Sequence, residues 1–169
     1  MKRIIAVILA ALMSVAVLAA CDSSETKSSS SAPASSAVSG NNAVTVVDLN
    51  AVLDKINAET GLSMDKVEDV SRLKRYYQLD EADIKQFACE RDGETEIVMI
   101  EATSGEAADR IEAVLQSKLD ALINNATSYS QEKLAVIQAC KVTKDGNFVS
   151  MIVSDNAPAA LKIYQDSIK

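Results

Sequence analysis

The 169-residue chain contains no histidine, no tryptophan and only two prolines. Histidine is the commonest general base and metal ligand, so its absence excludes Ser-His-Asp triads, Cys-His dyads and histidine-bearing zinc sites. Its five glycines form no phosphate-binding loop and no dinucleotide fingerprint. Aromatic residues make up 4% of the chain, so valine, isoleucine, leucine and alanine must fill any core.

Positive charge is also scarce, with 17 basic against 24 acidic residues and a formal net charge of −7. A protein that binds nucleic acid by neutralising phosphates needs the opposite balance, so no nucleic-acid partner is expected. Nor would this charge draw the chain to anionic lipid without an anchor.

The amino-terminal segment, residues 1–20, begins Met1-Lys2-Arg3 and continues uncharged to Ala20. A short positive start followed by an apolar run and small residues predicts a secretory signal peptide. A transmembrane helix is the competing interpretation. The run is at the short limit of about 20 residues for a span, and no basic stop-transfer cluster follows it.

The tetrapeptide Leu18-Ala19-Ala20-Cys21 resembles the lipobox of bacterial lipoproteins. The resemblance implies a diacylglyceryl group on the Cys21 thiol and signal cleavage between Ala20 and Cys21. Two acyl chains hold a protein stably at a membrane, whereas one does so marginally. We therefore expect the chain to lie on the outer, extracytoplasmic face of the cell membrane, held there by lipid.

Residues 21–43 then form a linker, because Asp22 to Ala43 includes nine serines and almost nothing to bury. A glycosylated stalk is an open alternative. Residues 44–169 have the length of one ordinary domain. Within it, Asp48 predicts the start of a helix and Gly61 its end, and the apolar face of that helix is Leu49, Val52, Leu53 and Ile56.

Two hairpins follow, each with an Asp-Gly turn signal. Strands are predicted at Ile84–Arg91, Glu94–Ala102, Ala139–Lys144 and Asn147–Val153. Thr103 and Glu106 read as a capping box for the helix between the hairpins, and Ser130 as the cap of a short helix after it. Pro158 is compatible with the first turn of a last helix.

The hairpins form a pseudo-repeat, because corresponding positions such as Cys89 and Cys140 lie 51 to 53 residues apart. Each unit reads β-β-α. We expect an α+β domain with a four-stranded antiparallel sheet, helices mainly on one face and a preceding amino-terminal helix.

The second half of the chain resembles the family of Gram-positive lipoproteins known as domain of unknown function 4358. The residues that carry the resemblance are Tyr129-Ser130-Gln131-Glu132, Lys144-Asp145-Gly146-Asn147-Phe148-Val149 and Ile152-Val153-Ser154-Asp155. The likeness extends over about residues 64–166. It implies a surface location and a fold. It implies no catalytic residues, and Cys89 and Cys140 lie outside its pattern.

Cys89 and Cys140 would meet if the first strands of the two hairpins were neighbours, and an exported protein can keep a disulfide. Both also lie at apolar positions that suit buried free thiols, so a Cys89–Cys140 disulfide and two free thiols remain open. A reactive or metal-binding pair is the third interpretation.

Acidic residues are concentrated just before and within the first hairpin. We interpret them as a solvent-exposed face of the domain rather than as a calcium site. These residues are Asp80, Glu81, Asp83, Glu90, Asp92, Glu94 and Glu96. Glu94 and Glu96 share a strand face and are the one pair suited to carboxylate chemistry on glycosides. Tyr76 and Tyr77 are candidates to line a groove for a peptide.

These observations favour a non-catalytic lipoprotein that binds or scaffolds a protein or peptide at the envelope, without a cofactor or metal. The alternatives are a small-molecule-binding lipoprotein that serves a transporter, and a hydrolase that uses carboxylates alone.

Overall fold

A computed structural model describes residues 46–126 and 131–169 of the chain. The helices are α1 (Leu49–Thr60), α2 (Val70–Tyr77), α3 (Gly105–Ala126), α4 (Gln131–Ala139) and α5 (Ala157–Ser167). The strands are β1 (Asp65–Lys66), β2 (Ile84–Asp92), β3 (Thr95–Ala102), β4 (Val142–Asp145) and β5 (Phe148–Val153). A 3₁₀ turn, Glu81–Asp83, leads into β2.

The strands form one antiparallel sheet in the order β1-β2-β3-β5-β4, which confirms the mixed α+β class. The expected number of four strands is wrong, because β1 adds a fifth at the edge. Asp65 and Lys66 pair with Arg91 and Glu90 of β2. Two exposed polar residues carry no alternating apolar pattern, so nothing in their sequence distinguishes β1 from a loop.

The expectation of helices mainly on one face is also wrong. Asn57 of α1 binds Glu90, which points to one face of the sheet. Tyr77 of α2 binds Glu96, which points to the other. The helix α5 packs with α1, whereas α3 packs against β3, β4 and β5 on the face of Glu96. The sheet is therefore covered on both sides, and all residues of β3 after Thr95 are buried.

The first helix forms as predicted. The Asp48 carboxylate accepts hydrogen bonds from the amides of Asn50 and Ala51, which have no partner inside the helix. Gly61 ends the helix at φ 72°, a left-handed conformation that glycine adopts without strain. The predicted apolar face is buried throughout, with Leu49, Val52, Leu53 and Ile56 in the core.

Both predicted hairpins form, with turns shifted by one residue. Asp92 pairs with Thr95 and Asp145 with Phe148, so the turn residues are Gly93-Glu94 and Gly146-Asn147. Each glycine occupies the first turn position with positive φ, 62° and 56°. A glycine at that position is the requirement of a type II′ turn, in which only the first turn residue has a positive φ.

Two local boundaries differ from the prediction. The α3 cap is Ser104, whose hydroxyl accepts from the Ala107 amide at 3.2 Å, while Thr103 donates to the Ala82 carbonyl. The second hairpin begins at Val142, because Ala139 ends α4 and Cys140 follows it outside any strand. The predicted Ser130 cap lies outside the described residues.

The pseudo-repeat is limited to the hairpins. The second strands, β3 and β5, are neighbours, and the first strands, β2 and β4, lie apart with β3 and β5 between them. The helices that follow the hairpins, α3 and α5, lie on opposite faces of the sheet. A two-fold that relates the antiparallel β3 and β5 would keep both helices on one face, so the two β-β-α units are not equivalent as wholes.

Candidate functional site

A cleft opens at the end of the sheet where α4 crosses the first hairpin turn, and we call it the Ser154 cleft. Its volume is about 390 Å³, at the low end of the ~300–1,000 Å³ typical of ligand pockets. It is lined by Glu94, Thr95, Glu132, Lys133, Val136, Ile137, Val153, Ser154 and Asp155.

Three elements position these side chains. The register of β3 against β5 pairs Glu96 with Val153, which brings Thr95 and Ser154 to the same end of the sheet. The turn glycine Gly93 places Glu94 directly before β3. Helix α4 supplies Val136 and Ile137, of which Ile137 is in the core. The floor of the cleft is therefore apolar and fixed by regular structure.

The rim of the cleft is charged. The Lys133 ammonium forms an ion pair with Glu94, and Glu132 and Asp155 add two more carboxylates. Three acids against one base leave the rim formally negative by two. Such a rim attracts a cationic group, although solvent and salt weaken each exposed pair.

Ser154 is the least expected residue of the cleft. Its residue surface is 5% exposed, and its Oγ is buried without a hydrogen-bond partner among the described residues. A buried hydroxyl without a partner costs about 1–3 kcal/mol. Its only signal in the sequence is a polar pair, Ser154-Asp155, directly after a buried strand.

Cys140 lies beside this cleft and is not bridged. Its Sγ donates to the Val136 carbonyl at 3.2 Å, and burial raises the pKa of its thiol. Cys89 is also a free, buried thiol. The condition set for a Cys89–Cys140 disulfide, adjacent first strands, is not met, because two strands separate β2 from β4 and Cys140 precedes β4.

Cys89 belongs to a buried polar cluster on the α3 face of the sheet. The Tyr77 hydroxyl donates to Glu96 Oε2 at 2.8 Å and lies 3.9 Å from the Cys89 sulfur. The Arg91 Nε is 3.6 Å from the same Glu96 oxygen. Burial raises the pKa of Glu96 and of Tyr77, and raises the pKa of Cys89 to about 12. A neutral, covered thiol of this kind is a poor nucleophile.

The expectation of one solvated acidic face is wrong for three of its members. Glu90 and Glu96 are fully buried, and Asp83 is nearly so. Asp83 receives two hydrogen bonds from Arg110, at 2.9 and 2.6 Å, and these bonds lower the pKa of Asp83. Because helices cover both faces of the sheet, side chains on both faces of a strand are buried. The alternation of polar and apolar residues along a strand does not predict this.

Glu94 and Glu96 do not form a catalytic pair. Glu94 lies in the hairpin turn and pairs with Lys133, whereas Glu96 is buried beneath Tyr77. The Ser154 cleft contains the first and not the second. Burial of Glu96 thus places its carboxyl in the core rather than in a substrate cleft.

Tyr76 and Tyr77 do line a groove, as predicted. It has a volume of about 480 Å³, and Gln78 of the α2 end and Val114 and Lys118 of α3 complete its main walls. The Tyr77 hydroxyl is turned inward to Glu96, so only its ring contributes. Tyr76 instead stacks beneath the Arg91 guanidinium, 4.4 Å from the ring centre. The groove therefore offers an apolar wall with few polar groups to orient a ligand.

The predicted lipidation site Cys21, the cleavage residue Ala20 and the linker lie outside the described residues. Within the described part of the chain, no helix is both long and apolar enough to cross a bilayer. Among residues 46–126 and 131–169, no three cysteine or acidic side chains converge as metal ligands.

Comparison with known proteins gives one match. A family model described as domain of unknown function (DUF4358) matches residues 57–154, more than half of the chain. The matched segment contains every residue of the Ser154 cleft except Asp155. No curated protein and no solved structure matches the chain.

Proposed function

The chain belongs to the DUF4358 family, and from that premise we propose that it is a lipid-anchored, non-catalytic module that binds a segment of a protein or peptide in the Ser154 cleft. The anchor is the diacylglyceryl group on Cys21. The site of action is the outer face of the membrane.

The support for the anchor is the tetrapeptide that ends at Cys21 and the serine-rich stretch behind it. A flexible linker of that length spans roughly 25 Å on average. A domain on such a linker stays near the membrane and samples a wide volume there. This arrangement suits capture of a neighbouring envelope protein, because the linker keeps the local concentration of the binding site high.

The observation that carries the binding role is the composition of the Ser154 cleft. An apolar floor of Val136, Ile137 and Val153 lies beneath a charged rim, and the nearby Ser154 hydroxyl has no partner in the described part of the chain. Ligand sites commonly combine apolar walls with a few polar groups that fix orientation. At 390 Å³, open to solvent, the cleft accommodates a side chain of a longer segment.

The residues present support a non-catalytic role. The chain has no histidine to act as a base, and both described thiols are buried and protonated at neutral pH. The carboxylate that lies deepest in the cleft, Glu94, is already paired with Lys133. A carboxylate-dependent hydrolase has no support in this arrangement.

A small-molecule-binding lipoprotein that serves a transporter is the second candidate. The observation in its favour is the convergence of polar groups from Glu94, Lys133 and Ser154 on one cleft. A free small molecule would need no groups beyond the cleft, whereas a protein segment would extend over α4.

Photo-crosslinking in the native envelope tests the proposal. A photoreactive residue at Glu132, on the rim, should capture a discrete partner. The same residue at Gln138, exposed on α4 outside the cleft, is the matched control. The crosslink should disappear when Val136→Trp fills the cleft and persist with Ala135→Trp. Equal capture from Glu132 and Gln138, or capture that survives Val136→Trp, would contradict the proposal.

A further inference from the structure

The rim of the Ser154 cleft selects for charge. Glu132 on α4 and Asp155 in the turn before α5 both line it, and neither forms an ion pair within the described residues. Lys133 neutralises Glu94, so an incoming group meets two uncompensated carboxylates. Two carboxylates attract an incoming cationic group, and this attraction is stronger where the cleft excludes part of the water, although removing the cation from water itself costs free energy.

Beneath the rim, Val136, Ile137 and Val153 form an apolar passage. Long basic side chains bury their methylene stems along such surfaces and keep the charged end among polar groups. An acidic or neutral side chain would also be stabilised by contact with the apolar floor, but the carboxylates of the rim would disfavour it relative to a basic one. The combination of an apolar passage with an acidic rim therefore matches one type of side chain.

The Ser154 hydroxyl is an independent indication of a ligand. Ser154 lines the cleft and is 95% covered, and its Oγ is shielded from solvent and lacks a hydrogen-bond partner among the described residues. A hydroxyl can both donate and accept, so a small rotation of the Ser154 side chain on ligand binding would let an ammonium hydrogen or a bridging water satisfy it.

On the premise of the proposed function, we propose that the Ser154 cleft recognises a lysine side chain of the bound segment. The stem lies against Val136 and Val153, and the ammonium group lies between Glu132 and Asp155. The net charge of the chain, −7, adds a long-range attraction for a basic segment. Lys133 neutralises Glu94, so this third carboxylate does not attract the ligand, and the positive charge of Lys133 limits the affinity.

A segment is favoured over a free amine by the geometry of the cleft. The cleft is open, so the part of a ligand beyond one side chain remains outside and can contact α4. A free amine would obtain only the rim contacts, and exposed ion pairs are individually weak. The backbone of a segment adds contacts that a small amine lacks.

The test uses the full chain and three blocked pentapeptides with a central lysine, norleucine or glutamate. Norleucine keeps the aliphatic stem and removes the charge. Binding is followed by the amide NMR shifts of Ser154 and Val136. The lysine peptide should bind at least about fivefold more tightly than the norleucine peptide, and the difference should shrink at high salt.

Two sets of variants give effects of opposite sign. Glu132→Gln with Asp155→Asn should weaken lysine-peptide binding about five- to tenfold. Glu59→Gln with Asp120→Asn, exposed residues outside the cleft, changes the net charge equally and should leave binding unchanged. Lys133→Met should strengthen binding by about two- to fivefold, because it frees Glu94.

Other outcomes overturn specific parts of the proposal. Equal shifts with the norleucine peptide would remove the lysine assignment while leaving a segment-binding cleft. Binding of n-butylamine as tight as that of the lysine peptide would overturn the segment and favour the small-molecule candidate. No shift at Ser154 with any peptide, together with a positive Glu132 crosslink, would overturn the lysine assignment alone.

Discussion

Asn57 of α1 donates through Nδ2 to Glu90 Oε2 at 2.8 Å, while Asn57 Oδ1 and Glu90 Oε1 are both buried and have no partner among residues 46–126 and 131–169. The pair joins the first helix to the second strand across the core. One hydrogen is missing from it, since two acceptors remain and an ionised carboxylate brings no donor. A protonated Glu90 supplies that hydrogen.

Glu90 should make the stability of the domain fall as pH rises. Burial raises the pKa of Glu90 above its ordinary value of 4.5, against the lowering effects of Asn57 and Lys66, and Asp54 adds a further increase. The folded state therefore holds a proton that the unfolded chain releases above pH 4.5. Stability is lost as pH rises from 4.5 through the folded pKa. Glu90→Gln should remove this loss and be more stable than the parent at pH 8 by about 1 kcal/mol, because an amide donates permanently. Urea unfolding between pH 4.5 and 8 measures the difference, and a constant offset across that range would contradict it.

Tyr77→Phe should destabilise the fold by about 1–3 kcal/mol, because it leaves the buried Glu96 carboxyl without its 2.8 Å donor. Tyr164→Phe is the matched control. The Tyr164 hydroxyl is also buried, but its contact with Ser150 falls short of hydrogen-bond geometry, so its removal should be neutral within about 0.5 kcal/mol. Urea unfolding at pH 7 compares them, and equal losses for the two variants would refute the role given to the Tyr77–Glu96 bond.

Gln78→Gly should stabilise the domain by about 0.5–1 kcal/mol. Gln78 ends α2 at φ 56°, and it is the one non-glycine residue with positive φ in residues 46–126 and 131–169. A side chain in that conformation costs about 1–2 kcal/mol, which glycine avoids. Part of this gain is lost because glycine raises the conformational entropy of the unfolded chain.

Gly61→Ala provides the reciprocal test. No atom beyond the two adjacent residues lies within 4 Å of the added Cβ, so the expected loss of about 1 kcal/mol arises from φ 72°. The midpoint of thermal unfolding should rise in Gln78→Gly and fall in Gly61→Ala. A shift of both midpoints in the same direction would contradict the backbone argument.

Cys89 and Cys140 should be unreactive in the folded domain. Burial raises the pKa of both thiols, that of Cys89 to about 12, so both are mainly protonated at pH 8 and both are shielded from the reagent. In a Cys21→Ala chain, iodoacetamide should label these two at least about tenfold more slowly than in urea. Mass spectrometry counts the adducts. Fast labelling of the folded chain would show that the thiols are not buried, and a failure to label in urea would show that they are not free.

Cys21→Ala should abolish incorporation of labelled fatty acid and weaken retention in the membrane fraction. Lipid on that thiol is the basis of the anchor. Cys140→Ala, which removes a buried thiol of the domain, should incorporate label as the parent chain does. Continued acylation of Cys21→Ala would contradict the assignment of the lipidation site.

Local signals determined much of this protein. Asp48, Gly61 and an apolar stripe define α1 because capping and helical periodicity act within a few residues. Gly93 and Gly146 define the two hairpins because the turn requires a residue that accepts positive φ. The α+β class follows from these elements and does not depend on how they pack.

Tertiary structure alone decided which elements are neighbours. The pairing of β3 with β5 and the placement of α3 and α5 on opposite faces depend on contacts between distant residues, which no local pattern encodes. Those contacts bury Glu90 and Glu96, which the charge pattern had placed in solvent. They also bring together Glu94, Lys133 and Ser154, which are far apart in sequence and form the candidate site only because the hairpin turn, α4 and the end of β5 converge.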